Sequence, residues 1–549
     1  MKAIKRILNI SILCCLLPVI TVAQASQATQ KKYKIPVLKG RANNPVLRIK
    51  IELNEAAELQ QIDILTKGTL RLNDIQDVKL LASGTDSALF KAEKAGMLRL
   101  FAAANAPLKE KTSLTGNLPL QKGINYLWLT LSLKATANAA SFLNINATLV
   151  RLNKDSLKIT PDNYANRLGI ALRQHNQDQV HTYRIPGLAT ANDGTLLGIY
   201  DVRRDSGRDL QGNIDIGLSR SLDKGKTWQP MQIVMDMGTW GNLPEKFNGV
   251  SDANILVDKK TGHIFIAGLW MYGVINEQGK WLEGLTEQSK DWNHQWKTKG
   301  SQPGFEPKQT AQFLIVKSTD HGKTWSKPVN LTKMCKQEDW WLWAPAPGQG
   351  ITMKNGTLVF PTQGRNASGK AFSNLTYSSD GGHTWKTSRA ATQESTTENM
   401  VVELTDGTLM LNMRSNANSK DTSSTNGRAI AITNNMGQDW TLHPTSHQAL
   451  PEPTCMASII RHDFVQNGKK RSVLLFSNPD AKTARKNMTI KVSYDDGKTW
   501  SSDKKILLDE EKSRGYSCLT SIDNNTIGIL YEGSQADMVF QTIKLDELL

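Results

Sequence analysis

One short pattern constrains this chain more than anything else in it, because it recurs. S-x-D-x-G-x-T-W stands at Ser221-Leu-Asp223-Lys-Gly225-Lys-Thr227-Trp228 and at Ser318-Thr-Asp320-His-Gly322-Lys-Thr324-Trp325. It returns at Ser378-Ser-Asp380-Gly-Gly382-His-Thr384-Trp385 and Ser493-Tyr-Asp495-Asp-Gly497-Lys-Thr499-Trp500, with a worn copy at Thr433-Asn-Asn435-Met-Gly437-Gln-Asp439-Trp440. The chemistry is that of a hairpin turn: Asp caps turn N–H groups, Gly takes the φ > 0 position and Trp packs beside it. Most copies lack the further carboxylates of a calcium loop, so the turns read as structural. Alternating apolar stretches precede most of them, at Ile214–Leu218, Phe313–Val316, Ala429–Ile432 and Thr489–Val492. Ahead of these lies a second series, Leu196–Tyr200, Ile264–Gly268, Leu358–Pro361, Leu409–Met413, Val473–Phe476 and Ile527–Tyr531. Six strand units, five ending in the turn, predict an all-β chain built on a six-bladed β-propeller. The sixth unit ends in Val539–Ile543, without the turn.

The Asp-equivalent positions are separated by 97, 60, 55 and 60 residues. The excess in the first interval falls near residues 270–308, around Trp270 to Pro307, and reads as a rim insertion or lid. Residues 26–158 lack the repeat and alternate polar and apolar residues in runs such as Val46–Leu53, Met97–Ala102 and Asn125–Leu133. They predict an N-terminal β-sandwich of carbohydrate-binding type, serving either to hold glycan or to brace the propeller of residues 159–549. The segment Asn153 to Tyr164 reads as the link.

Residues 1–25 read as a secretory signal: Lys2, Lys5 and Arg6, then an apolar run Ile7–Val22, then the A-x-A site Ala23-Gln24-Ala25. The expected location is periplasmic or secreted, with no transmembrane segment after signal removal. Cys335, Cys455 and Cys518 then remain, too few for a disulfide framework and without a C-x-x-C pair for zinc, so they read as buried thiols. The net charge of +16 is dispersed rather than run together. That argues against nucleic acid as a partner and suits steering toward anionic glycans.

The four good turns are Asp boxes, and the propeller opens on Tyr183-Arg184-Ile185-Pro186. An R-I-P followed by Asp boxes resembles the bacterial sialidase, or neuraminidase, family over about residues 175–549. The resemblance implies a cofactor-free exo-sialidase that hydrolyses terminal α-linked sialic acids of glycoproteins, glycolipids and other sialylated glycans, with retention of configuration. Sialic acid carries a carboxylate on its anomeric carbon, and a planar, permanently charged donor suits that group. The family uses three such arginines, and they fall here on Arg184, on Arg414 in Leu411-Asn-Met-Arg414-Ser, and on Arg485 in Arg485-Lys-Asn-Met.

The family nucleophile is a Tyr, an exception to the usual carboxylate pair, since a carboxylate nucleophile would face the substrate's own carboxylate. Tyr516 in Arg514-Gly-Tyr516-Ser-Cys518 matches it, and Glu398 in Thr397-Glu398-Asn-Met matches its base, with Glu403 as the competing acid. The acid/base Asp falls on Asp209, 25 residues after Arg184, with Asp201, Asp205 and Asp215 as rivals. Glu532 matches the acid that orients the first Arg, Arg203 an Arg near the sugar hydroxyls, and Asp252 an Asp close to the N-acyl and hydroxyl groups. A sialic-acid-binding lectin on this fold would keep the arginines and lose Tyr, Glu or Asp. A trans-sialidase would carry the same set.

Overall fold

The computed structural model describes residues 25–549 except 89–95, 106, 211, 240–244, 273–300, 308 and 393. The leader and most of the insertion read near residues 270–308 therefore lie outside the described residues. The last part of the strand Ile264–Tyr272 belongs to regular pairing, Trp270 facing Gln312, so the extra length begins after it.

Six blades of antiparallel strands form the propeller. Blade 1 runs Thr182–Thr190, Leu196–Arg203, Ile214–Ser221, Gln232–Met235. Blade 2 runs Asn248–Val257, Ile264–Tyr272, Gln312–Ser318, Val329–Asn330. Blade 3 runs Leu342–Pro345, Leu358–Arg365, Ala371–Ser378, Lys386–Thr387. Blade 4 runs Thr396–Glu403, Leu409–Ser415, Ala429–Thr433, Thr441–Leu442. Blade 5 runs Ser458–Gln466, Lys469–Pro479, Met488–Ser493, Lys505–Asp509. Blade 6 has Ser517–Asp523, Thr526–Tyr531 and Met538–Lys544. Its outer strand is Asn166–Arg173, which precedes blade 1 in the chain and pairs Ile170 with Phe540. The sixth unit needs no turn because its fourth strand arrives from the other end of the chain. Arg173 on that strand locks the ring, donating to the Tyr200 hydroxyl at 2.6 Å and to Ser219 Oγ at 2.7 Å in blade 1.

Burial falls from the axis outward. Leu196–Arg203 is buried throughout, whereas Val329–Asn330 and Thr441–Leu442 are exposed. The second strand of each blade packs both faces on neighbouring blades, and so reads as a nearly continuous apolar run.

The repeated turn ties each blade to the one before it. Ser318 Oγ donates to Asp320 Oδ1 at 2.8 Å and accepts from Gly322 N at 2.9 Å. Thr324 donates its N–H to Asp320 Oδ1 at 2.9 Å and its hydroxyl to Oδ2 at 2.6 Å. The same bonds hold the turns at Asp223, Asp380 and Asp495. The glycine serves twice. Gly382 has φ +87°, and a Cβ there would stand 2.6 Å from Phe265 of blade 2. At Gly225 a Cβ would stand 2.3 Å from Phe540 of blade 6. In the worn copy Asn435 Nδ2 donates to Asp439 Oδ2 at 3.0 Å, so its two substitutions are one exchange of donor and acceptor.

The N-terminal sandwich packs a sheet of Gln27–Lys32, Asn44–Leu53, Gly123–Leu133, Ile75–Gly84 and Arg99–Asn105 on one built from Ala57–Gly68, Lys111–Leu120, Phe142–Leu152 and Ser156–Lys158. Ser156–Lys158, inside the segment read as a link, pairs with Phe142–Leu152. The closing strand Asn166–Arg173 then pairs on one edge with blade 6 and on the other with Val37–Lys39 and with Phe142 and Leu143. Sandwich and last blade thus share one sheet, and Leu38 packs in the core of blades 5 and 6. Cys335, Cys455 and Cys518 are free and buried, each thiol pushed up to about 12 by burial, as suits small apolar residues. No described helix is long and apolar enough to cross a membrane.

Candidate active site

Every blade starts its first strand and ends its second at one end of the propeller, and the repeated turns lie at the other. Arg184 begins the first strand of blade 1, Arg203 ends the second, and the loop after it carries Asp209. Glu398 starts blade 4, Arg414 closes its second strand, and Glu532 follows the second strand of blade 6. The antiparallel alternation alone therefore gathers these residues, from distant parts of the chain, at one mouth.

Three first strands are bulged where they enter this mouth. Register slips between Arg184 and Gly187, between Ser251 and Asn254, and between Thr396 and Asn399. Ile185 has φ +60° and Asp252 φ +55°, left-handed conformations that are strained for side-chain-bearing residues, above all a β-branched one. Glu532 holds the first bulge. Its carboxylate accepts from Arg184 Nε at 2.8 Å, Ile185 N at 3.1 Å and Tyr516 N at 3.0 Å. Burial alone would raise its pKa, but the Arg184 charge and these donors hold it below the usual range.

Tyr516 is 5% exposed. Its hydroxyl donates to Glu398 Oε1 and accepts from Arg414 Nη1 at 3.1 Å. Arg414 Nη1 also donates to Glu398 Oε2 at 2.6 Å, while its buried Nε has no partner among the described residues. Two more guanidinium groups lie over the Tyr516 ring, Arg184 at 5.2 Å and Arg485 at 5.4 Å from its centroid. Arg485 is fixed by the carbonyls of Arg514 at 3.0 Å and Thr454 at 2.9 Å. Burial, then the Glu398 charge, push the phenol well above its ordinary pKa, so Tyr516 rests neutral beside its acceptor.

Asp209 accepts from Arg203 Nη1 at 2.7 Å and Arg184 Nη1 at 3.3 Å, with a side chain 80% exposed. Desolvation pushes its pKa up, and the Arg203 and Arg184 charges outweigh that and hold it low. Arg203, expected near the sugar hydroxyls, is 1% exposed and bonded to Asp201 at 2.8 Å and to Asp209; like Arg184 and Arg485, it stands behind the residues that line the cavity. Asp201 is fully buried and also accepts from Ser251 Oγ at 2.6 Å. Asp252 lines the cavity, its pKa raised well above the ordinary value by burial, then by Asp201, Glu398 and Asp209.

Asp205 is exposed and does not line the cavity, and Asp215 is paired with Arg204 at 2.6 Å. Glu403 ends the blade 4 strand at the opposite face, where it accepts from Lys354 N at 2.9 Å. The mouth itself is a cavity of about 590 Å³ lined by Asp209, Asp252, Glu398, Arg414 and Tyr516. Sequence reasoning missed Arg208, Gln363, Arg365 and Asn416 on its wall. Single polar residues at strand ends carry no spacing signal.

A constellation of neutral phenol, paired carboxylate, carboxyl held by arginines and buried guanidinium suits acid-assisted displacement at an anionic sugar. The family model for the N-terminal domain of BNR-repeat neuraminidase matches residues 25–156, and that for the BNR repeat-like domain matches residues 185–532. A sialidase of Bacteroides fragilis is 37% identical over 99% of each chain. A sialidase of Micromonospora viridifaciens is 33% identical over 64% of this chain and 50% of its own length. Among solved structures, a Hadza microbial sialidase superposes with TM-score 0.84 at 36% identity, over 95% of this chain and 100% of that one. An intramolecular trans-sialidase of Ruminococcus gnavus, at 18% identity and TM-score 0.52 over 69% of this chain and 98% of that one, shares the fold.

Proposed function

This chain belongs to the BNR-repeat neuraminidase, or sialidase, family and is an exo-α-sialidase acting on sialylated glycans; we propose that it works with retention through a covalent Tyr516 intermediate. The hydrogen bond from the Tyr516 hydroxyl to Glu398 carries this reading. A phenol raised far above its ordinary pKa is no nucleophile until its proton has somewhere to go, and Glu398 is that acceptor.

The substrate carboxylate is held by Arg184, Arg414 and Arg485, the unpartnered Nε of Arg414 being one donor already dehydrated for it. Tyr516 oxygen attacks the anomeric carbon as its proton passes to Glu398. The bond to the glycosidic oxygen breaks, and Asp209 gives that oxygen its proton. Asp209, now ionised, takes a proton from water, which attacks the same carbon and releases sialic acid. Tyr516 leaves and recovers its proton from Glu398, so both inversions together return the starting configuration. Asp209 must be protonated for the first step although Arg203 and Arg184 hold its pKa down in the empty site. A bound carboxylate neutralises Arg184 and covers Asp209, and both effects raise its pKa.

A 3-fluoro sialosyl fluoride should slow both steps, and mass spectrometry should find the adduct on the peptide bearing Tyr516. An adduct elsewhere, or a first product of inverted configuration, defeats the mechanism. The exported form begins in this reading after Ala25, from the basic start, apolar run and A-x-A site of residues 1–25. N-terminal sequencing of the exported protein should read Ser26, and retention of Met1 would defeat that cleavage.

A further inference from the structure

Most charged groups of the mouth are paired, but on its wall the exposed Arg208, the acid Asp252 and the half-buried Arg365 have no side-chain partner among the described residues. Arg184 is bonded to Glu532, Arg203 to Asp201 and Asp209, and Arg414 to Glu398, while Arg485 is fixed by two carbonyls. Arg365 lines the same cavity from the rim end of the blade 3 strand Leu358–Arg365. Its backbone is fixed by pairing with Leu342 and Ala371, and its carbonyl accepts from Trp341 N at 2.9 Å. Its guanidinium makes no hydrogen bond or ion pair among the described residues. Burial lowers its pKa and no neighbouring charge offsets that cost.

A half-buried guanidinium keeps its charge whatever its surroundings, so the dehydration is a standing cost that an acceptor relieves, an anion most strongly. The terminal sugar's own carboxylate is met by arginines of blades 1, 4 and 5, so an anion for blade 3 is a different group. We propose that Arg365 forms a second anion subsite, which recognises a further negative charge on the substrate: a neighbouring sialic acid's carboxylate or a sulfate ester. The inference rests on the sialidase reading and adds a substrate class to it: dianionic sialosides. The planar fork of Arg suits either group, bidentate to carboxylate or sulfate.

The test compares kcat/KM on 3′-sialyllactose, on the α2,8-linked disialyl lactoside and on a sulfated sialyllactoside, for wild-type enzyme and for Arg365→Gln. Release of sialic acid from 3′-sialyllactose by wild type tests the sialidase reading by itself. The ratio of dianionic to monoanionic kcat/KM should fall about tenfold in Arg365→Gln, the scale of one charge-assisted hydrogen bond. A fall on the disialyl arm alone assigns the carboxylate, and on the sulfated arm alone the sulfate. Arg365→Lys, which retains the cation, should keep more of the ratio than Gln does. In wild type the ratio should drop as salt is raised, a check independent of any variant. An unchanged ratio in Arg365→Gln on both arms, or a wild-type ratio indifferent to salt, overturns the proposal.

Discussion

At the turn end of the propeller, Asp320 spends both carboxylate oxygens on Ser318 and Thr324, and those bonds hold its pKa below the ordinary range. At the mouth, Asp252 sits on a left-handed bulge with no hydrogen bond to its carboxylate among the described residues, and burial beside other acids pushes its pKa far up. The same residue type is content at one end and costly at the other. The difference follows from what each end is for. A turn that staples neighbouring blades gains from satisfying every polar atom locally. A site that must bind a charged sugar keeps donors and acceptors in reserve, and the strain at Ile185 and Asp252 persists because the surrounding blades over-determine it.

The contrast breaks most visibly at Tyr516. Tyr516→Phe should lower kcat/KM on sialyllactose by at least about 10³-fold while leaving the melting temperature nearly unchanged. A large loss of stability instead would make Tyr516 a core residue of the kind found at the turn end.

Arg203→Gln should hurt both stability and chemistry. It leaves Asp201 buried without its cation, at a cost of about 3 kcal/mol in denaturant unfolding. It also removes the charge that depresses Asp209. The pKa of Asp209 then rises, more of it is protonated at a given pH, and the alkaline limb of the kcat/KM profile should move to higher pH. An unmoved limb would detach Arg203 from the acid.

Asp320→Asn should cost about 1 to 2 kcal/mol with catalysis intact, since it replaces one acceptor oxygen by a donor. The depressed folded pKa means that Asp320 contributes stability above its unfolded pKa, about 4, and loses it as pH falls through the folded value. Acid destabilisation should therefore be shallower in the Asp320→Asn variant than in wild type, measured as melting temperature against pH.

The smallest effect tests the worn turn. Asn435→Asp sets a second carboxylate against Asp439 and should cost under about 1 kcal/mol, and adding Asp439→Thr should restore it. Simple additivity would show that the two positions are not exchanging donor and acceptor.

How far the sequence could be read follows the range of the interactions. The turns were legible because Ser318, Asp320, Gly322 and Thr324 bond to one another within seven residues. The second strands were legible because burial on two faces writes itself as apolar residues. Asn166–Arg173 as the outer strand of blade 6 was not, since nothing local distinguishes it and its partner lies near the other end of the chain. In the site, R-I-P and the arginines came through resemblance to a family, and the fold accounts for why residues so far apart converge. The burial of Arg203 and the unpaired cation at Arg365 stayed hidden, because pairing depends on which carboxylates the blades bring near. Asn153 to Tyr164 read as a link because its short strand is a sheet edge with little pattern of its own.

The closing strand also sets an order of events. Gln541 donates to the carbonyl of Leu168 across 373 residues of chain, so the ring cannot shut until the chain has been made as far as Gln541. Without blade 6, the edge of Asn166–Arg173 that faces it has no strand to pair with, and the sandwich covers only the other edge. In the folded chain the sandwich pairs the other edge of that strand, an edge that needs no residue of blade 6. A ring sealed by pairing across such a sequence separation is slow to nucleate, and cutting the chain before Met538 should leave an aggregating species rather than a smaller enzyme.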